Sequence, residues 1–116
     1  GIPLYLVDRL AERIDLPAAT VGILGMAFKG ESDDVRSSLA YKLRRILRFR
    51  AKDVLATDPY VTTDATLLPL DDVLERSDAL IIAAPHQVYR ELTGNPGIAE
   101  KPLLDMWDLL GEGTRV

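Results

Sequence analysis

The stretch Phe28-Lys29-Gly30-Glu31-Ser32-Asp33-Asp34-Val35-Arg36 concentrates the side chains of this chain that are suited to chemistry. An aromatic ring stands beside a cation, acids follow, and a second cation closes the run. Lys29 offers a point charge to a phosphate or to a developing oxyanion. Arg36 offers a planar fork that matches phosphate or carboxylate oxygens two at a time. Phe28 offers a face for a sugar or a base. Asp33 and Asp34 have two roles open to them, capping the helix that follows or orienting Arg36. A plainer reading competes with all of this: a surface loop in which Lys29 and Arg36 pair with Glu31 and the aspartates.

Few other residues compete for a chemical role. The chain has no cysteine, which removes disulfides, a thiolate nucleophile and a Cys-based zinc site. A single histidine, His86, leaves no His-rich metal site, so no metal is expected. His86 itself is expected to cap a helix start or to lie in solvent, with a polar ligand contact as the alternative. Asp58, after an apolar run, imitates the ribose-binding acid of dinucleotide folds. The glycine fingerprint that should accompany it, G-x-G-x-x-G running straight into a helix, is missing. Only Gly22 and Gly25 are present, and a polar loop from Phe28 to Val35 intervenes before the helix. Lys42, Arg44, Arg45, Arg48, Arg50 and Lys52 read as a solvated helix face, and Tyr60 as a packing residue near the pocket. A net charge of −4 argues against nucleic acid as the partner.

The elements that must position these residues follow from periodicity. Leu4, Val7, Leu10 and Ile14 share one face of a first helix, with Pro3 in its first turn. Thr20–Met26, Asp53–Thr57, Ala79–Ala84 and Lys101–Met106 are short apolar runs that read as strands. Leu39, Leu43, Ile46 and Leu47 form the apolar stripe of a helix over Ser37–Arg50. Pro69, with Asp71 and Asp72 beside the positive end of the helix dipole, starts another that runs to Ser77. Pro85 opens a short helix through Leu92. Apolar strands alternating with amphipathic helices define an α/β fold: a Rossmann-like, doubly wound parallel sheet preceded by one N-terminal helix. With 116 residues, 47% of them apolar and 28% charged, the chain is long enough for one buried core. No apolar run reaches the length of a membrane span, and no signal peptide is visible. Gly1 in place of Met leads us to expect further sequence upstream.

The order of motifs makes the reading specific. Gly22-Ile23-Leu24-Gly25-Met26-Ala27-Phe28-Lys29-Gly30, then Asp33-Asp34-Val35-Arg36 and Ser38, closely resembles the block that opens the C-terminal domain of the UDP-glucose/GDP-mannose dehydrogenase family. Asp58-Pro59-Tyr60-Val61, the stretch from Ser77 to His86, and Leu103-Leu104-Asp105 continue the likeness in order. The resemblance implies that residues 1–18 are the helix ending a central linker region and that 19–116 bind the nucleotide sugar. It implies a parent enzyme that oxidises the C6 alcohol of a nucleotide sugar, UDP-linked, to a uronic acid in two NAD-dependent steps. Phe28 and Lys29 would contact that substrate, and Arg36 would reach NAD held mainly by an absent N-terminal domain. No catalytic residue would lie in this chain, because the nucleophilic cysteine would sit upstream, and the chain alone would be inactive. The resemblance further implies a homodimeric, cytoplasmic parent serving polysaccharide biosynthesis, without nucleic acid or membrane partners. The alternative is a stand-alone nucleotide-binding or regulatory module.

Two positions depart from the family pattern. Ser38 is followed by Leu39 where the family has proline, and the leucine extends the apolar stripe. Trp107 stands where many UDP-glucose-oxidising members carry an arginine that contacts the nucleotide. Two outcomes are open for it: stacking in the nucleotide pocket or packing into the core below the strand end. The Asp105-x-Trp107 ending resembles the UDP-N-acetylmannosamine dehydrogenase subgroup.

Overall fold

A computed structural model describes residues 1–36, 38–96, 98, 100–107 and 109–110. Its elements are α1 (Ile2–Ala11), a 3-10 turn (Leu16–Ala18), β1 (Thr20–Leu24), α2 (Leu39–Arg50), β2 (Asp53–Thr57), α3 (Leu70–Arg76), β3 (Ala79–Ile82), a second 3-10 segment (Gln87–Leu92) and β4 (Leu103–Asp105). The four strands are parallel, in the order β2-β1-β3-β4. The chain therefore steps from β1 outward to β2, then returns past β1 to β3. The strand order reverses between β1 and β3, and the carboxyl ends of those two strands flank a crevice.

Alternation along the strands builds two cores. Val21, Ile23, Ala56, Ile81 and Leu104 face α1 and α2 and pack with Val7, Leu10, Leu43 and Leu47. Leu24, Leu55, Leu80, Ile82 and Leu103 face the other way and pack with Val73, Leu74, Tyr89 and Leu92. Both faces of the sheet are covered, which is why its strands read as unbroken apolar runs rather than as alternating ones.

The element boundaries differ from the sequence expectation for local reasons. β1 stops at Leu24 because Gly25 turns the chain at φ +93, a conformation costly for other residues. α2 starts at Leu39, since Ser38 is its N-cap, with ψ 127 and a side chain that accepts from the Ala40 N–H. The helix expected from Pro85 is a 3-10 segment beginning at Gln87. In α1, Val7 and Leu10 are buried as expected, but Leu4 is 48% exposed beside exposed Ile2 and Tyr5. The first turn of α1 overhangs the core. Nor is the basic stretch wholly solvated. Arg44 pairs with Asp64 at 3.1 Å, stacks over Tyr41, and ties α2 to the loop after β2. Among the described residues, no helix is long and apolar enough to cross a membrane.

Candidate functional site

At the switch point, the residues after β1 form a loop whose backbone is held at almost every step. Gly25 N–H still belongs to the sheet and donates to Thr57 O at 2.9 Å. Beyond it the ladder ends, and the Asp58 carboxylate takes over as acceptor. Its Oδ2 accepts from Met26 N (2.7 Å), Ala27 N (3.1 Å) and His86 Nε2 (2.8 Å). Its Oδ1 accepts from Tyr60 N (2.7 Å) and Val61 N (3.2 Å). Ser38 Oγ donates to Met26 O at 2.8 Å, and Phe28 N–H donates to Asp34 O. Gly30 passes so near Pro85 that a Cβ there would sit 2.7 Å from the Pro85 carbonyl oxygen.

Burial pushes the Asp58 carboxyl up. The hydrogen bonds from His86, Tyr60 and Met26 outweigh burial and hold it below the ordinary carboxylate value. Asp58 thus only imitates a ribose-binding acid: it is buried, and both oxygens are engaged by the protein itself. His86 does cap a helix start, as the N-cap of the second 3-10 segment, where its backbone carbonyl accepts from the Tyr89 N–H at 3.0 Å and its side chain makes no cap bond. The alternative of a solvent position is corrected: the ring is fully buried between Tyr60 and Tyr89, whose ring centroids lie 4.9 and 5.6 Å away. Both its ring nitrogens are occupied, by Asp58 and by the Glu31 N–H.

The side chains this backbone presents are open. Phe28 is 53% exposed, Lys29 is exposed, and Trp107 from the far side is 50% exposed. With Ala27, Leu39, Ala83 and Met106 they line a cleft of about 280 Å³. Trp107 Nε1 donates to Ala83 O at 3.0 Å, which sets the indole against the cleft wall. Of its two outcomes, core packing is excluded. A larger cavity of about 440 Å³ lies between the ends of α1 and α2, lined by Pro17, Phe49 and Arg50. It sits at the amino edge of the strands, away from the switch point and from Lys29.

The plainer reading of the loop holds for one cation and fails for the other. Asp34 accepts Arg36 Nε and Nη2 at 3.1 and 3.0 Å, and that fork, with the Arg36 N–H, lowers its carboxyl to about 2. The Arg36 side chain is 88% exposed and is not part of the cleft lining. Glu31 turns the other way, accepting from Gln87 N–H, and its proximity raises the Tyr60 hydroxyl above its ordinary value. Tyr60, half out of the surface, packs on His86 near the site. Among the described residues, no carboxylate lies within salt-bridge distance of Lys29.

This arrangement coincides with what the chain is similar to. Residues 22–112 match the UDP-glucose/GDP-mannose dehydrogenase family, UDP binding domain. The chain belongs to that family. It is 39% identical over 97 residues to the UDP-N-acetyl-D-mannosamine dehydrogenase of Pyrococcus horikoshii, covering 84% of this chain and 20% of that protein. It is 35% identical over 100 residues to the UDP-glucose 6-dehydrogenase of Haloferax volcanii, covering 79% and 23%. Among solved structures, a UDP-glucose dehydrogenase from Pyrobaculum islandicum superposes with a TM-score of 0.72 at 29% identity, covering 89% of this chain and 25% of that one. The chain thus spans about a fifth to a quarter of these relatives.

Within the family domain, Phe28 and Lys29 share a cleft, whereas Arg36 stands apart from it. The sequence reading missed the Asp58–His86 pair. Its only sequence signals were the Asp-Pro and Pro-His turns at two strand ends.

Proposed function

We propose that this chain is the nucleotide-sugar-binding domain of an NAD-dependent nucleotide-sugar 6-dehydrogenase. The observation that carries the proposal is the convergence of Phe28, Lys29 and Trp107 on one cleft at the β1/β3 switch point. A UDP-linked sugar fits its chemistry. Lys29 supplies the charge for the diphosphate, and the aromatic rings of Phe28 and Trp107 supply faces for the base or sugar. The backbone that carries Phe28 and Lys29 is tied by hydrogen bonds at Met26, Ala27, Phe28 and Glu31, which limits the loop entropy lost on binding.

NAD, when bound, accepts the hydride, and this chain fits it only at its edge. The turn after β1 has no cradle for a dinucleotide pyrophosphate: a Cβ on Gly25 would lie 2.6 Å from Ala84 Cβ, so that approach is filled by protein. Arg36, exposed on the loop flank with its fork shared by Asp34, is the residue we assign to a cofactor held elsewhere, and its exposure supports that assignment. The nucleophile belongs outside this chain, since the chain has no cysteine. The remainder of that enzyme, its homodimer, its cytoplasmic setting and its place in polysaccharide biosynthesis belong to the same reading, with α1 as the end of the preceding helical region.

Titrating UDP, UDP-glucose and UDP-N-acetylmannosamine against the protein by calorimetry tests the reading. Saturable binding that Lys29→Ala weakens is the expected result. Binding that is absent for all three, or indifferent to Lys29, contradicts it.

A further inference from the structure

We infer that Asp58 and His86 form a positioning pair that pins both ends of the Phe28–Lys29 segment and so presets the cleft. The inference rests on the nucleotide reading above. Asp58 holds the amide groups that precede the segment, those of Met26 and Ala27. His86 Nδ1 accepts from the Glu31 N–H at 2.9 Å, the amide that follows it. The two clamps are joined to each other through His86 Nε2 and Asp58 Oδ2. Five residues of loop backbone, 26–30, are thereby closed between the members of one buried pair that comes from two other strand ends.

The ring chemistry explains why a histidine occupies this place. The Glu31 N–H donates into Nδ1, so the ring hydrogen sits on Nε2 and is directed at Asp58. The position requires an acceptor on one side and a donor on the other, fixed by a rigid frame. Tyr60 and Tyr89 hold that frame from two sides, and none of the ring is exposed. Glu31 adopts φ 53, a left-handed conformation uncommon for a residue with a side chain, which aims its N–H at the ring. Yet neither Asp58 nor His86 lines the cleft that Phe28, Lys29 and Trp107 share. They act on a ligand only through the loop they hold.

The test compares His86→Leu and His86→Gln with wild type in the full chain. It reads amide hydrogen exchange without ligand and UDP affinity by calorimetry. In His86→Leu, exchange at Met26, Ala27 and Glu31 should quicken about tenfold or more, while the ladder amides of β1 and β3 keep their rates. UDP affinity should fall about tenfold, with a larger unfavourable binding entropy, because the loop is then ordered only on binding. His86→Gln retains a donor and an acceptor and should recover part of both effects. Unchanged loop exchange overturns the inference. So does a freed loop with unchanged affinity, or a quickening that includes the ladder amides, which marks a residue of general stability. If His86→Leu folds too weakly to measure, His86→Gln decides alone: intermediate exchange and affinity support the pair, and a change in only one of the two overturns it. A wild-type chain that binds no UDP contradicts the functional reading, and the exchange rates then decide the positioning claim by themselves.

Discussion

Asp34 and Asp58 sit at the two ends of the same loop system, and both carboxyls are held below their ordinary value, by opposite means. Asp34 is partly exposed and bonds to a neighbour two residues along the chain, and the Arg36 fork is the first cause of its lowering. Asp58 is buried and gathers donors from three separate strand ends. A local, solvated pair holds two side chains and is readily exchanged with water and salt. A buried carboxylate with five donors holds the fold, because losing it strands every donor at once. A lowered carboxyl therefore says nothing by itself about importance; the origin of the partners does.

The largest expected effect follows from that difference. Asp58→Ala should cost about 3–5 kcal/mol in denaturant unfolding, since buried N–H groups and His86 lose their acceptor together. A loss below about 1 kcal/mol would place Asp58 on the same footing as Asp34. Acid unfolding sharpens the point. Folding favours ionised Asp58, so its contribution is present above the unfolded-state value of about 3.9, and is lost as pH falls through its lower folded value. In Asp58→Asn that part of the acid-dependent loss should vanish from the unfolding curve.

The next effect belongs to function rather than to stability. Lys29→Ala should weaken UDP binding by about 1.5–3 kcal/mol, the usual worth of a charge-assisted contact, with an unchanged thermal melt. A lowered melt with unchanged affinity would make Lys29 structural. Trp107→Arg should be smaller, about 0.5–1.5 kcal/mol of lost stacking, and should appear as an altered ranking of UDP-glucose against UDP-N-acetylmannosamine. An unchanged ranking would separate Trp107 from the nucleotide. The smallest effect is at Asp34, where Asp34→Ala should leave Tm unmoved; a clear fall would show that the exposed fork holds the loop after all.

What was legible in the sequence divides along the same line between local and distant. β2 stands at Asp53–Thr57, where a short apolar run closed by Asp58-Pro59 predicts a strand. The parallel sheet followed from apolar runs separated by amphipathic helices. Phe28 and Lys29 stand out in the sequence because they are adjacent, whereas Trp107 is marked only by its departure from a family pattern, which leaves cleft and core both open. The Asp58–His86 pair was not, because a hydrogen bond across 28 residues leaves no periodic trace. The burial of His86 is hidden for the same reason, as nothing beside it in sequence announces Tyr60 or the Glu31 amide, whereas its place as a cap is local and legible. The end of α2 is another case: the apolar stripe located the helix, whereas the Ser38 side chain set its first residue.

Trp107 is the single tryptophan of the chain and stands half exposed on the wall of the cleft, so its fluorescence reads the central claim directly. Titration of this chain with UDP should change the Trp107 emission saturably. The midpoint should match calorimetry and should move to higher concentration in Lys29→Ala. Binding seen by calorimetry with Trp107 emission unchanged, or no binding at all, would contradict a nucleotide site formed by Phe28, Lys29 and Trp107.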